Sequence, residues 1–339
     1  MQNSRPLNSI ARLFLFLVLL GNPLSLIANQ ASSENQIRSD ALFNQARTMI
    51  RDDVIPSLLM VHKNEIKRVI QNTKVIVKPG GPFEVYVRRH KSQHNIVIGG
   101  MFVFLASIQA ENMFWMAAVP EKAIDIEEYY KRLLDFALYG TLIDGFGNEF
   151  PTVVQYLGWN SKDQELYAAR LGGKEAYNYF TNLIMFQILT YTLSHEFAHI
   201  YLEHTVQDKA VLSLYERRKN EWHADIEAIL AISRIGLMGP TYIPPMGAFI
   251  AASLFTYLED PQEKGTHPTE TCRGLYSTDA ALKLGLDMLK TEKEIGRPQG
   301  NLSQKERAFN KLKQAYNKKK SQYKLSDICD DFVVLHSFN

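Results

Sequence analysis

The spacing of apolar residues predicts a largely helical chain. Residues 36–72 carry apolar side chains three and four positions apart, as in helices with one buried face, and Pro56 is expected to separate two such helices. A longer apolar pattern, free of proline and glycine, runs from about Lys174 to His204 and predicts a central helix. Other helices are expected at 121–140, from about Asn220 to Gly236, and at about 247–258, 275–291 and 303–320.

Two short segments change to the two-residue alternation of β-strands. The first spans Phe83 to Arg88, the second spans Ile96 to Leu105, and a hairpin turn is expected at Lys91–Asn95. Gly99 and Gly100 indicate a bulge or a close backbone approach, which suits an edge strand. These patterns predict an α+β fold, predominantly helical, with a small β-sheet beside the central helix.

The first 31 residues have the layout of a secretory signal peptide. Arg5 and Arg12 precede the apolar run Leu13–Leu20, and small or polar residues follow through Ala31. A spanning helix needs about 20 apolar residues, so we favour cleavage over retention as a membrane anchor. We therefore predict an exported protein, periplasmic or secreted, with no stable transmembrane segment after cleavage.

Composition narrows the class of protein. The 339 residues are 46% hydrophobic and 22% charged, which excludes a largely disordered chain and a polytopic membrane protein. The 38 basic residues nearly balance the 36 acidic ones, so bulk charge gives no support to nucleic-acid binding. Cys272 and Cys329 are too few for a disulfide scaffold. In an oxidising compartment they are able to pair, and two buried thiols are an equal alternative.

The central helix contains a metal-binding pattern. His195-Glu196-Phe197-Ala198-His199 is an HExxH motif. At about 100° per residue, the two histidines lie some 40° apart around the helix and one turn apart along it. Both imidazoles can therefore reach one zinc ion, and Glu196 is placed to act as a general base on a water molecule.

A catalytic zinc needs a third protein ligand and an open fourth position. Glu221 is the predicted third ligand, and Asp225, four residues later, shares its helical face. We expect Asp225 to accept a hydrogen bond from a ligand imidazole and so to orient its ring. His223 is a weaker ligand candidate than Glu221. His204 is rotated about 140° from His199 and is expected on the flank or the surface.

HExxH followed by an ExxxD helix resembles the gluzincin metalloproteases. Further segments resemble the family that includes the HtpX-type heat-shock proteases and the CAAX prenyl proteases. They are the Asn95–Phe104 strand, His204 after HExxH, and Thr266-His267-Pro268 with Arg273. The resemblance covers about 95–105 and 185–280.

The resemblance implies a zincin-like catalytic domain with zinc on His195, His199 and Glu221, Glu196 as general base, and Asp225 behind a histidine ligand. It also implies that His267 or Arg273 lies near the cleft, and we take His267 as the candidate donor to the oxyanion. The last implication is that the strand at Gly99, Gly100 and Met101 takes a substrate backbone by β-augmentation.

The predicted organisation follows from these motifs. A signal peptide (1–31) and an N-terminal helical segment (32–75) precede a zinc metallopeptidase domain (76–325), which has an insertion at about 110–175. A C-terminal tail (326–339) follows. Apolar side chains at 101–116 are expected in the core, and the lining of substrate pockets or peripheral contact with a membrane are the lesser alternatives.

We predict a zinc-dependent endopeptidase that acts on a protein or peptide substrate, with no nucleic acid as partner. The first alternative is a non-catalytic module of the cell envelope, stabilised by zinc, with a binding or chaperone-like role. Retention of Glu196 argues against it, because a structural zinc site needs no base. The second alternative is an export protein in which HExxH arises by chance and which binds no zinc.

Overall fold

A computed structural model describes residues 33–79, 84–90, 93–139, 151–205, 212–238, 251, 269–294, 296 and 299–338. The fold class predicted from sequence is confirmed: the described chain is mostly helical with one three-stranded sheet. Several predictions fall outside these residues. They concern the signal peptide, Phe83, Lys91, the loops at 140–147 and 239–247, the helix at 247–258 apart from Ala251, and His267.

Three helices form the N-terminal part of the described chain. They are α1 (Ser33–Met49), α2 (Ile55–Val61) and α3 (Asn64–Asn72), and a π-helical segment (Ile50–Val54) joins the first two. Pro56 stands in the first turn of α2. A proline is tolerated there because its missing N–H would have no helical partner in any case. Pro56 therefore marks the start of the second helix, in agreement with the prediction that it separates two helices.

The sheet contains β1 (Lys74–Lys78), β2 (Val85–His90) and β3 (Gln93–Gly99), in the spatial order β1-β3-β2. The β2 and β3 strands lie close to the two predicted strands, but Gln93–Asn95, which were expected in the turn, belong to β3. The predicted extension of the second strand to Leu105 is wrong, because helix α4 (Gly100–Ala118) begins directly after β3. A helix that is apolar on nearly every face and a buried strand both appear in the sequence as a continuous apolar run. The pattern therefore does not distinguish them, which explains the error.

The assignment of β3 as an edge strand is also wrong. β3 lies between β1 and β2, and the Gly99 N–H donates to the Glu84 carbonyl at 2.7 Å. Gly100 and Met101 belong to the first turn of α4. Gly99, Gly100 and Met101 were proposed to pair with a substrate backbone. β3, which ends at Gly99, already pairs with a strand on each side, and Gly100 and Met101 do not lie in a strand. In the described sheet, only the outer strands β1 and β2 are placed for β-augmentation.

The described residues divide into two compact units. One is built from the segments up to Met49, Val77–Glu84 and Ile98–Met185, and the other from Ile50–Ile76, Val85–Val97 and the segments from Phe186 onward. Each unit therefore draws on separate stretches of the chain.

In the first unit, α4 packs against α1, α5 (Ala123–Tyr139) and α7 (Ser161–Ala169), and the short α6 (Val153–Tyr156) lies against α5. α5 to α7 occupy much of the predicted insertion. The core packing expected for 101–116 is confirmed for four side chains, which are buried: Met101, Phe102, Phe114 and Trp115.

Within the part of the chain that the structure describes, α4 alone is long and apolar enough to span a bilayer, with a mean hydropathy of 1.2. Neighbouring parts of the structure bury 56% of this apolar stretch of α4. This burial is the pattern of a core helix.

The second unit contains the C-terminal part of α8 (Gly173–Tyr201), α9 (Leu214–Met238) and α10 (Glu270–Glu294), followed by two more helices. α10 packs against α9 and against both later helices, α11 (Gln299–Lys320) and α12 (Asp331–Phe338).

Cys272 and Cys329 form a disulfide, with their Cα atoms 5.3 Å apart. This resolves the question that the sequence left open about the two cysteines. The bond joins the start of α10 to the residues just before α12.

Candidate metal centre

Three predicted metal ligands come together in the second unit. The Nε2 atoms of His195 and His199 lie 3.0 Å apart. The Glu221 carboxylate oxygens lie 3.2 Å from His195 Nε2 and 3.5 Å from His199 Nε2. Ligands about 2.0–2.1 Å from a tetrahedral zinc are separated from one another by roughly 3.3 Å. The three side chains therefore fit a single metal ion of zinc size, and together they form a group that could bind a metal.

Two helices position these side chains. His195 and His199 are four residues apart on α8 and so project from one face, one turn apart. Glu221 belongs to α9, and the Tyr201 hydroxyl at the end of α8 donates to Glu227 of α9 at 2.8 Å. Side-chain hydrogen bonds thus hold α8 and α9 together close to the site.

Asp225 lies behind His195. It is fully buried, and its Oδ1 is 2.9 Å from His195 Nδ1. Its carboxylate also receives hydrogen bonds from Tyr191, Tyr276 and Arg273. The contact between Asp225 and a histidine of the site was expected from the spacing of Glu221 and Asp225, whereas these three additional donors were not.

The charge of Asp225 is stabilised in this buried position. Burial alone would raise the pKa of the Asp225 carboxyl, but the Arg273 guanidinium and His195 outweigh it and hold this pKa below its usual range. An ionised carboxylate only accepts hydrogen bonds, so His195 Nδ1 carries the proton. The His195 Nε2 lone pair therefore points toward His199 and Glu221, as metal binding requires.

The acidic surroundings also favour positive charge at His195. Burial lowers the pKa of His195, but hydrogen bonds with Asp225 and Glu221 raise it to about 10 overall. A bound cation would gain from the same two carboxylates, since a metal ion and a proton compete for the same imidazole lone pair.

Arg273 contacts the same carboxylate oxygen of Asp225, Oδ1, that lies against His195. It is fully buried and donates to Asp225 and, at 3.4 Å, to the Tyr191 hydroxyl. The family resemblance implied that Arg273 lies near the cleft. In the structure it contacts Asp225, the residue that orients the proposed ligand His195. His267, the other residue implied there, lies outside the described residues, and its role stays a prediction.

Glu196, which stands between the two histidines in the sequence of the motif, is buried and only 6% exposed. It follows His195 on α8, about 100° further around the helix. Its assignment as general base remains a prediction from the HExxH motif.

His204 was expected on the flank or at the surface rather than as a ligand, and the surface alternative is wrong. His204 is 8% exposed, and its Nδ1 lies 3.0 Å from His199 Nδ1. Burial, followed by the neighbouring His199 and His223, lowers the pKa of His204 to about 3. The expectation failed because it continued the helix to His204, whereas α8 ends at Tyr201.

His223 has a peripheral position. Its ring centroid is 6.3 Å from that of His204, and it does not belong to the group of three ligands found among the described residues.

Sequence analysis missed Tyr191 and Tyr276. Tyr191 precedes His195 by four residues, so helical spacing could have placed it on the same face of α8. Tyr276 lies on α10, and only the tertiary fold brings its hydroxyl to Asp225.

The C-terminal helix supports the helix that carries Glu221. Trp222, the next residue, donates from Nε1 to Ser337 Oγ of α12 at 2.9 Å. Trp222 also packs in a buried cluster with the disulfide, Tyr276 and Val333. The predicted C-terminal tail thus forms part of the packing behind the site.

Comparison with known protein families gives one match. The family model described as Peptidase U49 matches residues 155–273, about a third of the chain. This range includes the HExxH motif, Glu221, Asp225 and Arg273. No curated protein and no solved structure matches the chain. The match to a peptidase family supports a proteolytic function.

Proposed function

We propose that this chain is a zinc-dependent endopeptidase of the gluzincin type, related to the HtpX-type and CAAX prenyl proteases. In this proposal His195, His199 and Glu221 hold the zinc, and Glu196 is the general base. The main support is the convergence of three ligand atoms within 4.8 Å of one another, inside the range that matches a peptidase family.

The chemistry of the ligands favours zinc among divalent cations. Two imidazoles and one carboxylate form a ligand set of catalytic zinc sites, whereas calcium and magnesium prefer oxygen ligands alone. Among the described residues the group offers three ligands, which is the number that catalytic zinc sites use. Structural zinc sites usually take four.

The residues around the site have separate tasks in peptide hydrolysis. Bound zinc would polarise the peptide carbonyl and lower the pKa of water from about 15.7 to near 7. Glu196 takes the proton of the attacking water and passes it to the leaving amine. Asp225 keeps His195 in the tautomer and orientation that binding requires.

We also propose that the protein is exported. The signal-like pattern of residues 1–31 supports this, and so does the disulfide between Cys272 and Cys329, because disulfides persist in oxidising compartments.

Cleavage of casein or of mixed peptides by the purified protein tests the reaction. Glu196→Gln is expected to lower kcat by about 100-fold to 10,000-fold while zinc stays bound, because it removes the base but no ligand. A chelator should abolish cleavage in the wild type, and added zinc should restore it. Glu175→Gln is the matched control on the same helix: Glu175 is exposed in the first turn of α8, so its replacement should leave kcat unchanged.

The other outcomes separate the alternatives. Bound zinc without any hydrolysis, unaffected by Glu196→Gln, would favour the non-catalytic module. A purified protein that retains no zinc would mean that the HExxH pattern arose by chance.

A further inference from the structure

The chain reverses direction directly after the HExxH helix. α8 ends at Tyr201, and Glu203 adopts a left-handed backbone conformation with φ of 61°. The Glu203 N–H donates to the Ile200 carbonyl at 3.1 Å, and the Thr205 N–H donates to the His199 carbonyl at 3.3 Å. These bonds fold the chain back over the last turn of α8.

Among the described residues other than glycine, Glu203 alone has a positive φ. The left-handed region is unfavourable for a residue with a Cβ, by about the strength of one net hydrogen bond. Such conformations persist where surrounding structure requires them, often at functional sites. Here the result of the reversal is the position of the next residue, His204.

His204 faces the side of the His199 ring that points away from the other ligands. The two Nδ1 atoms are 3.0 Å apart, and the ring planes meet at 67°. The second nitrogen of His199, Nε2, lies 3.0 Å from His195 Nε2. His199 therefore has one nitrogen toward the proposed metal and one toward His204.

This arrangement fixes the proton positions in the zinc-bound form. A neutral imidazole that binds metal through Nε2 carries its proton on Nδ1. His199 Nδ1 is then the donor, and His204 Nδ1 must be the acceptor. His204 in turn carries its own proton on Nε2.

We propose that His204 is a positioning residue of the metal centre: its Nδ1 accepts the His199 Nδ1–H and holds His199 in the tautomer and ring orientation that direct Nε2 to the metal. It acts on His199 as Asp225 acts on His195. The proposal rests on the proposed zinc site. His204 is not a fourth ligand to the same ion, because the two nitrogens of the His199 imidazole point in opposite directions.

Two substitutions at His204 separate hydrogen bonding from packing. His204→Phe keeps a ring but removes the acceptor, and we expect it to weaken zinc binding by about 10-fold to 100-fold. His204→Asn offers a carbonyl oxygen near the place of Nδ1 and should recover most of this loss. His223→Phe is the matched control, since the His223 ring stacks near that of His204 but His223 does not belong to the group of three ligands, and it should leave the zinc Kd unchanged.

Zinc affinity is measured by competition with a chelator of known affinity, and thermal unfolding checks that each variant is folded. NMR of the His199 ring in the zinc-loaded wild type should show a hydrogen-bonded proton on Nδ1, and in zinc-loaded His204→Phe this proton should lose the downfield shift that the hydrogen bond causes. A wild-type zinc Kd in folded His204→Phe overturns the proposal. So does an equal loss in His204→Asn and His204→Phe, because the effect would then come from packing.

These readouts are independent of proteolysis. If the wild type binds zinc more tightly than His204→Phe does and yet cleaves no peptide, the positioning role stands and the endopeptidase proposal fails. If the wild type binds no zinc, both proposals fail.

Discussion

The buried residues next to the metal ligands depend on one another for charge compensation. Asp225 and Arg273 are both completely buried, and each is the counter-charge of the other. Removing one partner of such a pair leaves the other charge without compensation in a medium of low dielectric constant, which costs far more than the pair contributes net.

We expect Asp225→Asn to lower the free energy of unfolding by about 3–5 kcal/mol, because Arg273 loses its buried counter-charge. Asp330→Asn removes one partner of Arg218, in a partly exposed pair at 3.0 Å, and should cost no more than about 1 kcal/mol. Urea denaturation of both variants makes the comparison. Similar losses in the two would show that Asp225 does not carry a critical buried charge.

Glu203 gives a prediction of opposite sign. Glycine adopts a positive φ without steric cost and is the usual residue where a helix ends in this conformation. Glu203→Gly should therefore raise the free energy of unfolding by about 0.5–1 kcal/mol and preserve the zinc Kd. Leu202→Gly, at the preceding position, should instead lower stability. A destabilised Glu203→Gly, measured by the midpoint of urea unfolding, would mean that the Glu203 side chain is needed for the turn.

The sequence allowed the ligand residues to be predicted because helical spacing and residue chemistry are local properties. HExxH fixes the relation of His195 and His199 on any helix. The position of His204 depended on where α8 ends, and neither glycine nor proline marks that point. The contact of Tyr276 with Asp225 depends on the packing of separate helices, which the pattern of one segment does not encode.

Among the elements, α10 and α11 show how packing follows from spacing. Leu275, Leu282 and Leu289 recur every seven residues on α10, and Leu302, Phe309 and Tyr316 do so on α11. Both series form one buried cluster, as expected for two helices packed side by side. Gly285 lies where Phe309 approaches, and a Cβ built on it would stand 2.0 Å from the Phe309 ring.

We expect Gly285→Ala to lower the free energy of unfolding by about 1–3 kcal/mol through overpacking, in spite of the better helix propensity of alanine. Gly274→Ala on the same helix is the matched control, since a Cβ there meets nothing within 4 Å. It should raise stability by up to about 1 kcal/mol. Calorimetric melting of both variants measures whether each change in stability is a loss or a gain. A stabilised Gly285→Ala would contradict the close packing of α10 on α11.

Strand and helix were confused where the periodic signal is weak. The residues of α4 are apolar on nearly all sides, so neither a period of two nor a period of 3.6 stands out. Strand β1 was missed because its three apolar residues, Val75 to Val77, stand together without alternation. The long helix α8 was predicted close to its observed position, whereas α9 begins at Leu214, six residues before the predicted start at about Asn220.

At the scale of the whole molecule, the two compact units are built from interleaved segments. Patterns along the chain identify elements but not which of them assemble, so this division was not visible in the sequence. The disulfide adds a link between distant positions, since Cys272 and Cys329 are 57 residues apart.

Closing a loop of this length stabilises the folded state by about 4 kcal/mol in the chain-entropy description. We therefore expect a reductant to lower the melting temperature of the wild type. The double variant Cys272→Ala/Cys329→Ala should melt lower as well and should not respond to the reductant. A wild type that melts at the same temperature with and without reductant would show that the bond adds no stability.

The central claim is that His195, His199 and Glu221 bind one zinc ion, and X-ray absorption at the zinc edge of the purified protein tests it most directly. The expected result is one zinc per chain with only nitrogen and oxygen neighbours at about 2.0–2.2 Å, and loss of the metal in His195→Ala. The account would be contradicted by a zinc content well below one per chain, or by zinc that remains bound with the same neighbours in His195→Ala.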